Sequence, residues 1–437
     1  MLTIRYAKSL PVYETDVLVC GLGCAGLAAA VAAGRMGAST MGVERWPCAG
    51  GNITAANVPG TCGLADMTTG ELAVGGIALE LLGRSGVIKL PLASRKLFEP
   101  MLDEKKIKTA FLKLPYLWDV ERLKIVADQV LAESNVKVLY HSWVADVKAA
   151  RGRIGSVIIF NVGGGMAVRP KVVIDCTGDG DVACWAGAPF DVDERRQPMT
   201  TEFHITNVRV PEARQELQNK CAVVLQAARQ EGRMGIYGGP YLGFPAPGIV
   251  RVNAVRLPYN SAVPEEITQA EIEGRRDAWR MYELWKERLP EFRDACLFSS
   301  GPACGARESR RIRGLYTLTE ADVRAARPFE DAIVKGSWYL DRHPLDSPGY
   351  HPHDLVKAYD IPYRTLLPQG VENLLVAGRC HSATSEALAS SRVGTTAMGM
   401  GEAAGVAAAM AVQTGIAPRE VSVPELRRRL VEQGGVL

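Results

Sequence analysis

The chain has 437 residues, 47% of them hydrophobic and 23% charged, the proportions of a globular protein rather than a disordered or fibrous one. Its net charge of +3 is too small to build the field that draws a polyanion, so nucleic acid is not an expected partner. Its 44 glycines are about 10% of the chain against the usual ~7%, which asks for backbone that approaches something closely.

Residues 1–8 contain no apolar run, so no signal peptide is expected. The ten cysteines lack framework spacing and read as reduced thiols of a cytoplasmic protein. The uncharged run 17–34 is long enough to suggest a membrane span, but it holds Gly21, Gly23 and Gly26 and changes period partway. It is better read as strand, turn and helix, and no membrane partner is expected. Residues 16–20 predict a parallel strand buried on both faces, 26–36 an Ala-rich helix and 39–44 a second strand, together a βαβ unit.

Asp119 is placed to N-cap a helix to about Ser134, followed by a strand at 135–140. Residues 147–169 read as a small antiparallel meander and 171–175 as another buried strand. From Gln197 the texture shifts to longer amphipathic helices. One is opened by a capping box at Thr268 and Glu271, with Ile272, Trp279, Tyr282 and Leu289 on one face. That stripe predicts core or domain interface, and the helix with Trp279 and Trp285 is a candidate homodimer contact. From Tyr359 the α/β texture returns, with a strand at 373–377 and a small-residue helix at 395–412. The predicted fold is therefore α/β: a Rossmann-like domain assembled from N- and C-terminal segments (1–196 and 347–437), with an inserted α+β substrate or cap domain (197–346).

Gly21-Leu22-Gly23-Cys24-Ala25-Gly26 matches G-x-G-x-x-G between strand and helix, and Glu44 ends the next strand. The first glycine makes the tight turn, the second lets backbone amides approach a pyrophosphate, and the third permits close helix packing. Glu44 would accept hydrogen bonds from the adenosine ribose. A second glycine loop, Gly50-Gly51-Asn52-Ile53-Thr54, stands where FAD needs contacts that NAD does not. Asp175-Cys176-Thr177-Gly178 and Asn373-Leu374-Leu375-Val376-Ala377-Gly378-Arg379 complete the set.

These blocks resemble the FAD-dependent oxidoreductase family that shares a glutathione-reductase-type flavin domain with fumarate reductase flavoproteins and the flavin-bearing chain of heterodisulfide reductases. The resemblance implies FAD as cofactor. It would place Gly21, Gly23, Cys24 and Ala25 along the pyrophosphate, Glu44 and Arg45 at ribose and adenine, and Gly50, Gly51, Asn52 and Thr54 at the ribityl chain and flavin. Backbone groups of Val144 would meet the adenine, Thr177 and Gly178 the adenosine end, and Gly378 and Arg379 the ribityl and phosphate side. Residues 391–398 are similar to the turn that faces the flavin pyrimidine ring, which adds Gly394, Thr395 and Thr396. By the same resemblance, Arg392 would bind a substrate carboxylate.

Candidate reaction residues cluster at 307–313, 341–343 and 359–364. Arginines suit an anionic substrate because the guanidinium fork matches a carboxylate, which singles out Arg307 beside Arg392. His343 and Tyr363 are the candidate proton carriers. Cys48, Cys62 and Cys380 are candidates for a thiolate or covalent attachment near the flavin. The paired-His motif of fumarate reductases is missing, which argues against fumarate as substrate. A second G-x-G-x-x-G and a C-x-x-C-x-x-C run are missing too, so neither an NAD(P)H domain nor an iron–sulfur cluster or other metal is expected. The expected function is hydride exchange between flavin N5 and a small carboxylate-bearing molecule, with an external electron carrier as a further partner. The alternatives are a flavin-containing electron-transfer protein working with a protein redox partner and, more remotely, a tRNA-modifying flavoprotein.

Overall fold

The computed structural model describes residues 9–98, 117–345, 348–349 and 354–437. The N-terminal octapeptide and the expected domain boundary at 346/347 lie outside them. β1 (Val12–Cys20), β2 (Thr40–Val43) and β3 (Val136–Leu139) are parallel, and the glycine turn follows β1 as predicted. The apolar half of β1, Val17 to Cys20, is fully buried, as a strand covered on both faces must be.

The meander and the buried strand expected after residue 147 are joined more closely than the sequence suggests. β4 (Trp143–Ala150) and β5 (Arg153–Asn161) are antiparallel, and β6 runs unbroken over Gly164–Asp175. Its first half pairs with β5 and its last three residues with the strand Leu374–Val376, so one long strand serves both meander and core sheet. The central sheet thus runs in the order β3-β2-β1-β6-β5-β4. Helix Val120–Glu133 is capped by Asp119, whose carboxylate accepts the Arg122 N–H.

Helix Cys24–Arg35 lies against helix Gly394–Thr414, and both are rich in small residues. At Gly405 a Cβ would stand 2.8 Å from Ala32 Cβ, inside any real contact, so glycine sets how closely these helices approach. Among the described residues, no helix is long and apolar enough to cross a membrane.

A second core gathers side chains from Met199 to Ala306. The short strand β7 (Phe190–Asp191) leads toward it. The core itself is built by an antiparallel sheet of β8 (Glu202–Thr206), β9 (Tyr237–Ala246), β10 (Ile249–Val255) and β11 (Cys296–Ser300), covered by helices Arg214–Gln230 and Pro264–Arg288. On the way back, β12 (Arg311–Ile312) pairs with β7. The chain returns to the first core earlier than residue 347. Leu318, Val323, Ile333, Val334 and Leu340 pack there, and β13 (Ala332–Gly336) pairs with β14 (Tyr359–Pro362).

The expected capping box is not one. The helix starts at Pro264, and Thr268 lies inside it with its hydroxyl donating to the Pro264 carbonyl. Of the expected stripe, Tyr282 and Leu289 are buried in the cap core, but Ile272 and Trp279 are exposed, at 42% and 52%, and Ala270, Gly274, Ala278, Met281 and Trp285 face inward instead. Small residues occupy its first half because the chain packs close there: a Cβ at Gly274 would lie 3.1 Å from Leu257 Cδ1 and 3.2 Å from Cys304 Sγ. Trp285 stacks on Phe203 and tilts against Phe292, and its indole N–H donates to the Cys221 carbonyl. It is core, so a homodimer contact on this helix would have Trp279 but not Trp285.

Candidate functional site

One cleft reaches from the glycine turn after β1 to the inward face of the cap sheet. Gly21 has φ +86°, and a Cβ there would stand 2.5 Å from the Cys176 carbonyl oxygen. Gly51 has φ +55°, and a Cβ there would lie 2.7 Å from Gly23 Cα. Only glycine lets these two loops stack, and the stack leaves backbone facing the cleft.

Helix Cys24–Arg35 has no side-chain cap at Gly23. Its first internal bond runs from Leu27 N–H to Gly23 O, so the amides of Cys24, Ala25 and Gly26 have no helical partner. Helix Gly394–Thr414 repeats the arrangement, uncapped at Val393 and with its first bond from Ala397 N–H. Gly23, Cys24, Ala25, Val393 and Gly394 all line the cleft, so two partially positive helix ends meet there.

Glu44 completes this half. It is 4% exposed and accepts the Leu22 N–H at 2.7 Å and the Trp46 N–H at 3.0 Å, while burial raises its pKa against those two bonds. Each carboxylate oxygen keeps a lone pair for a ribose hydroxyl. The Arg45 guanidinium lies 5.4 Å from the Trp46 ring and 5.9 Å from Trp143, a flat face for an adenine. Asn52, Val144, Thr177, Gly178, Gly378 and Arg379 also line the cleft. The Thr177 hydroxyl donates to Asp175, a buried carboxylate raised to about 6 by desolvation. These residues fit FAD: paired donors for a pyrophosphate, an acid for a ribose and a second helix end for the flavin.

Four expected cofactor residues act from behind the surface. Gly50 donates its N–H to the Leu22 carbonyl, and the Thr54 hydroxyl donates to Ala49 O. The Thr395 hydroxyl donates to Cys62 O, and the Thr396 hydroxyl is buried without a partner among the described residues. None of the four lines the cleft. Arg379 carries a structural load as well. It donates to Asp179 at 3.0 Å and to Ser309 at 2.7 Å, tying the flavin side to the segment returning from the cap, and holds Asp179 well below the usual carboxylate range despite burial.

At the other half of the cleft stand Tyr241, Arg251, Asn253, Arg307, Trp338, Tyr339, Asp341, His343 and Arg392. Of the run 307–313, only Arg307 is among them. Arg310 pairs with Asp181 at 2.8 Å, Arg311 with Glu308 and Asp193, and Arg313 with Asp191. Arg307 is 6% exposed and, among the described residues, donates only to neutral oxygens, Pro198 O at 2.8 Å and Asn253 Oδ1 at 3.3 Å. Arg392 Nη2 lies 3.2 Å from the Asp341 carbonyl and 3.5 Å from its carboxylate, and its Nε has no partner among the described residues. His343 Nε2 stands 3.1 Å from Asp341 Oδ1. Burial, with the charges of Arg256 and Arg307, pushes the His343 pKa well below its ordinary value, while His343, Arg392 and Arg307 hold Asp341 far below the carboxylate range despite burial.

Tyr363 does not belong here. It is 1% exposed, its hydroxyl donates to the Pro418 carbonyl at 2.9 Å, and burial raises its pKa, so it is a core residue and not a proton carrier. The cysteines are also reassigned. Cys62 lines the cleft, but burial lifts its thiol to about 12, so it stands there as a neutral thiol and not a thiolate. Cys380 is fully buried, with Sγ 3.6 Å from Asp175 O, and Cys48 is absent from the cleft lining.

Sequence reasoning missed Arg256, the Arg251–Glu202 pair and the Trp338–Tyr339 wall, all on cap or returning segments without a motif. Asp341 was nearer to hand. In an extended chain residues i and i+2 share a side, so the Asp-x-His spacing at 341 and 343 is a readable signal.

A family model described as FAD dependent oxidoreductase matches residues 16–430. No curated protein matches the chain. Among solved structures, similar ones include a geranylgeranyl bacteriochlorophyll reductase-like protein from Thermoplasma acidophilum (12% identity, TM-score 0.49, covering 97% of this chain and 84% of that one). A flavoprotein/dehydrogenase from Cytophaga hutchinsonii has 15% identity and TM-score 0.47, over 96% and 86% of the two chains. The p-nitrophenol 4-monooxygenase from Pseudomonas putida DLL-E4 has 15% identity and TM-score 0.46, over 97% and 84%.

Proposed function

The chain belongs to the FAD-dependent oxidoreductase family, and from that premise we propose that it exchanges a hydride between flavin N5 and a small organic anion seated against Arg307 and Arg392. FAD, when bound, supplies the two-electron donor or acceptor. The observation that carries the anion is Arg307: a guanidinium 6% exposed whose hydrogen bonds, among the described residues, go only to neutral oxygens. A buried charge without a counter-charge costs several kcal/mol, and an anionic ligand relieves that cost.

Arg307 would fix the carboxylate, and Arg392, steadied by Asp341, would turn its free Nε toward the same ligand. Asp341 accepts only, so His343 must donate from Nε2, which leaves the Nδ1 lone pair to take or return a proton. Asp341 is thus a positioning residue and His343 the proton carrier. The enclosure of Arg307 and Arg392 favours a small molecule over a protein redox partner at this site, and an external electron carrier would restore the flavin after each turnover.

Anaerobic mixing of the FAD-loaded protein with a panel of small carboxylates and their amides tests this. At least one carboxylate should bleach the flavin, or its oxidised partner should recolour the dithionite-reduced protein, while the matching amides do neither. A flavin that responds to amides and acids alike would sink the proposal.

A further inference from the structure

We infer that the substrate carries two anionic groups, one more than the reading above requires, because the cleft behind Arg307 holds two positive charges that the described residues leave unmatched. The inference rests on that reading of the site and extends it. Arg251 and Glu202 cancel each other in a two-pronged pair with both contacts at 2.5 Å. Asp181 at the cofactor half is matched by Arg310. What remains around the substrate, among the described residues, is Arg256, Arg307 and Arg392 against Asp341 alone. The neighbours that titrate do not alter this count: burial keeps His343 uncharged and raises the pKa of both Cys62 and Tyr339, so all three are neutral near pH 7.

Arg256 is the residue that makes the count two. It is 3% exposed, and Nε, Nη1 and Nη2 are all buried without a hydrogen-bond partner among the described residues. Arginine stays protonated in proteins, so this is a full charge in a poorly solvated place. The fold makes room for it, because a side chain at Gly238 would collide with the Arg256 guanidinium. Its charge is felt at Asp341, Arg392, Arg307 and His343, which puts it behind the cleft wall and within range of whatever binds in front. Bound FAD would leave these charges unanswered, since the donors that would hold its pyrophosphate are the glycine-turn amides at the other half of the cleft. A ligand with two carboxylates, or one carboxylate and one other oxyanion, matches them.

Binding to the oxidised FAD-loaded protein, read by flavin absorbance and by thermal shift at fixed ionic strength, tests the charge count. Malonate, succinate and glutarate are compared with propionate, butyrate and valerate. The best dicarboxylate should bind at least tenfold more tightly than the monocarboxylate of equal carbon number. Arg256→Met should reduce that preference below threefold and raise the ligand-free Tm, because it removes an unmatched charge; Arg256→Gln gives the same test if the methionine variant fails to fold. Equal binding of the two classes, a preference that survives at Arg256→Met, or a lowered ligand-free Tm would each overturn the inference while leaving the anion site standing. Binding of neither class would overturn the anion site itself.

Discussion

Glu402 offers a test of the fold's electrostatics that needs no substrate. It lies on helix Gly394–Thr414, 3% exposed, with Oε2 accepting the Ile77 N–H at 3.0 Å and Oε1 buried without a partner among the described residues. Desolvation raises its pKa from 4.5 to about 7, against the pull of the Ile77 bond and of Arg35. A carboxyl raised in the folded state contributes stability that is complete below pH 4.5 and is lost as pH rises through 7. At 1.36 kcal/mol per pH unit, that rise corresponds to about 3 kcal/mol. Glu402→Gln keeps a carbonyl for Ile77 but cannot ionise, so its advantage over the wild type should grow by about 3 kcal/mol between pH 4.5 and pH 8.5. For a chain of this length that is roughly 3 °C in Tm. Thermal melts of both proteins across that range decide it. A Tm difference that stays constant with pH would refute the reasoning.

Gly21→Ala should abolish FAD retention, read as the ratio of flavin to protein absorbance, because its Cβ would meet the Cys176 carbonyl at 2.5 Å and the residue must hold φ +86°. Tyr363→Phe should cost about 1 kcal/mol of stability, the value of one buried hydrogen bond, and leave flavin binding and bleaching unchanged; lost bleaching with normal flavin content would return Tyr363 to the reaction. Arg379→Met strands the buried Asp179 and should destabilise the protein by about 3–5 kcal/mol in urea unfolding; a change under about 1 kcal/mol would mean that the tie carries no load.

What could be read from the sequence is what local geometry demands. The turn at Gly21 and the strand leading to Glu44 require particular residues at particular spacings, so the turn stands where expected and the strand ends one residue short, at Val43. The small-residue helix 395–412 was equally plain, since a helix that packs backbone to backbone must be built of Gly and Ala. The pairings of β8 were not, because it meets β10 and β11 from far along the chain, Phe203 opposite Ser300 for example, and such pairing leaves no local signature. Tyr363 misled because a phenol beside a strand looks the same whether it faces a cleft or the core. The 307–313 run misled for a related reason: arginine count does not say which guanidinium already has a carboxylate, and Arg310, Arg311 and Arg313 all have one. Arg256 is beyond sequence reading altogether, since its meaning is the lack of a hydrogen-bond partner among the described residues.

The central claim is a flavin cleft that takes an anion, and a crystal structure of the FAD-loaded protein with a bound carboxylate tests it most directly. The account predicts the pyrophosphate on the amides of Cys24 and Ala25, the flavin beside Gly394, and a ligand carboxylate within about 3 Å of an Arg307 nitrogen. A ligand carboxylate seated away from both Arg307 and Arg392, with those guanidiniums still unmatched, would contradict it.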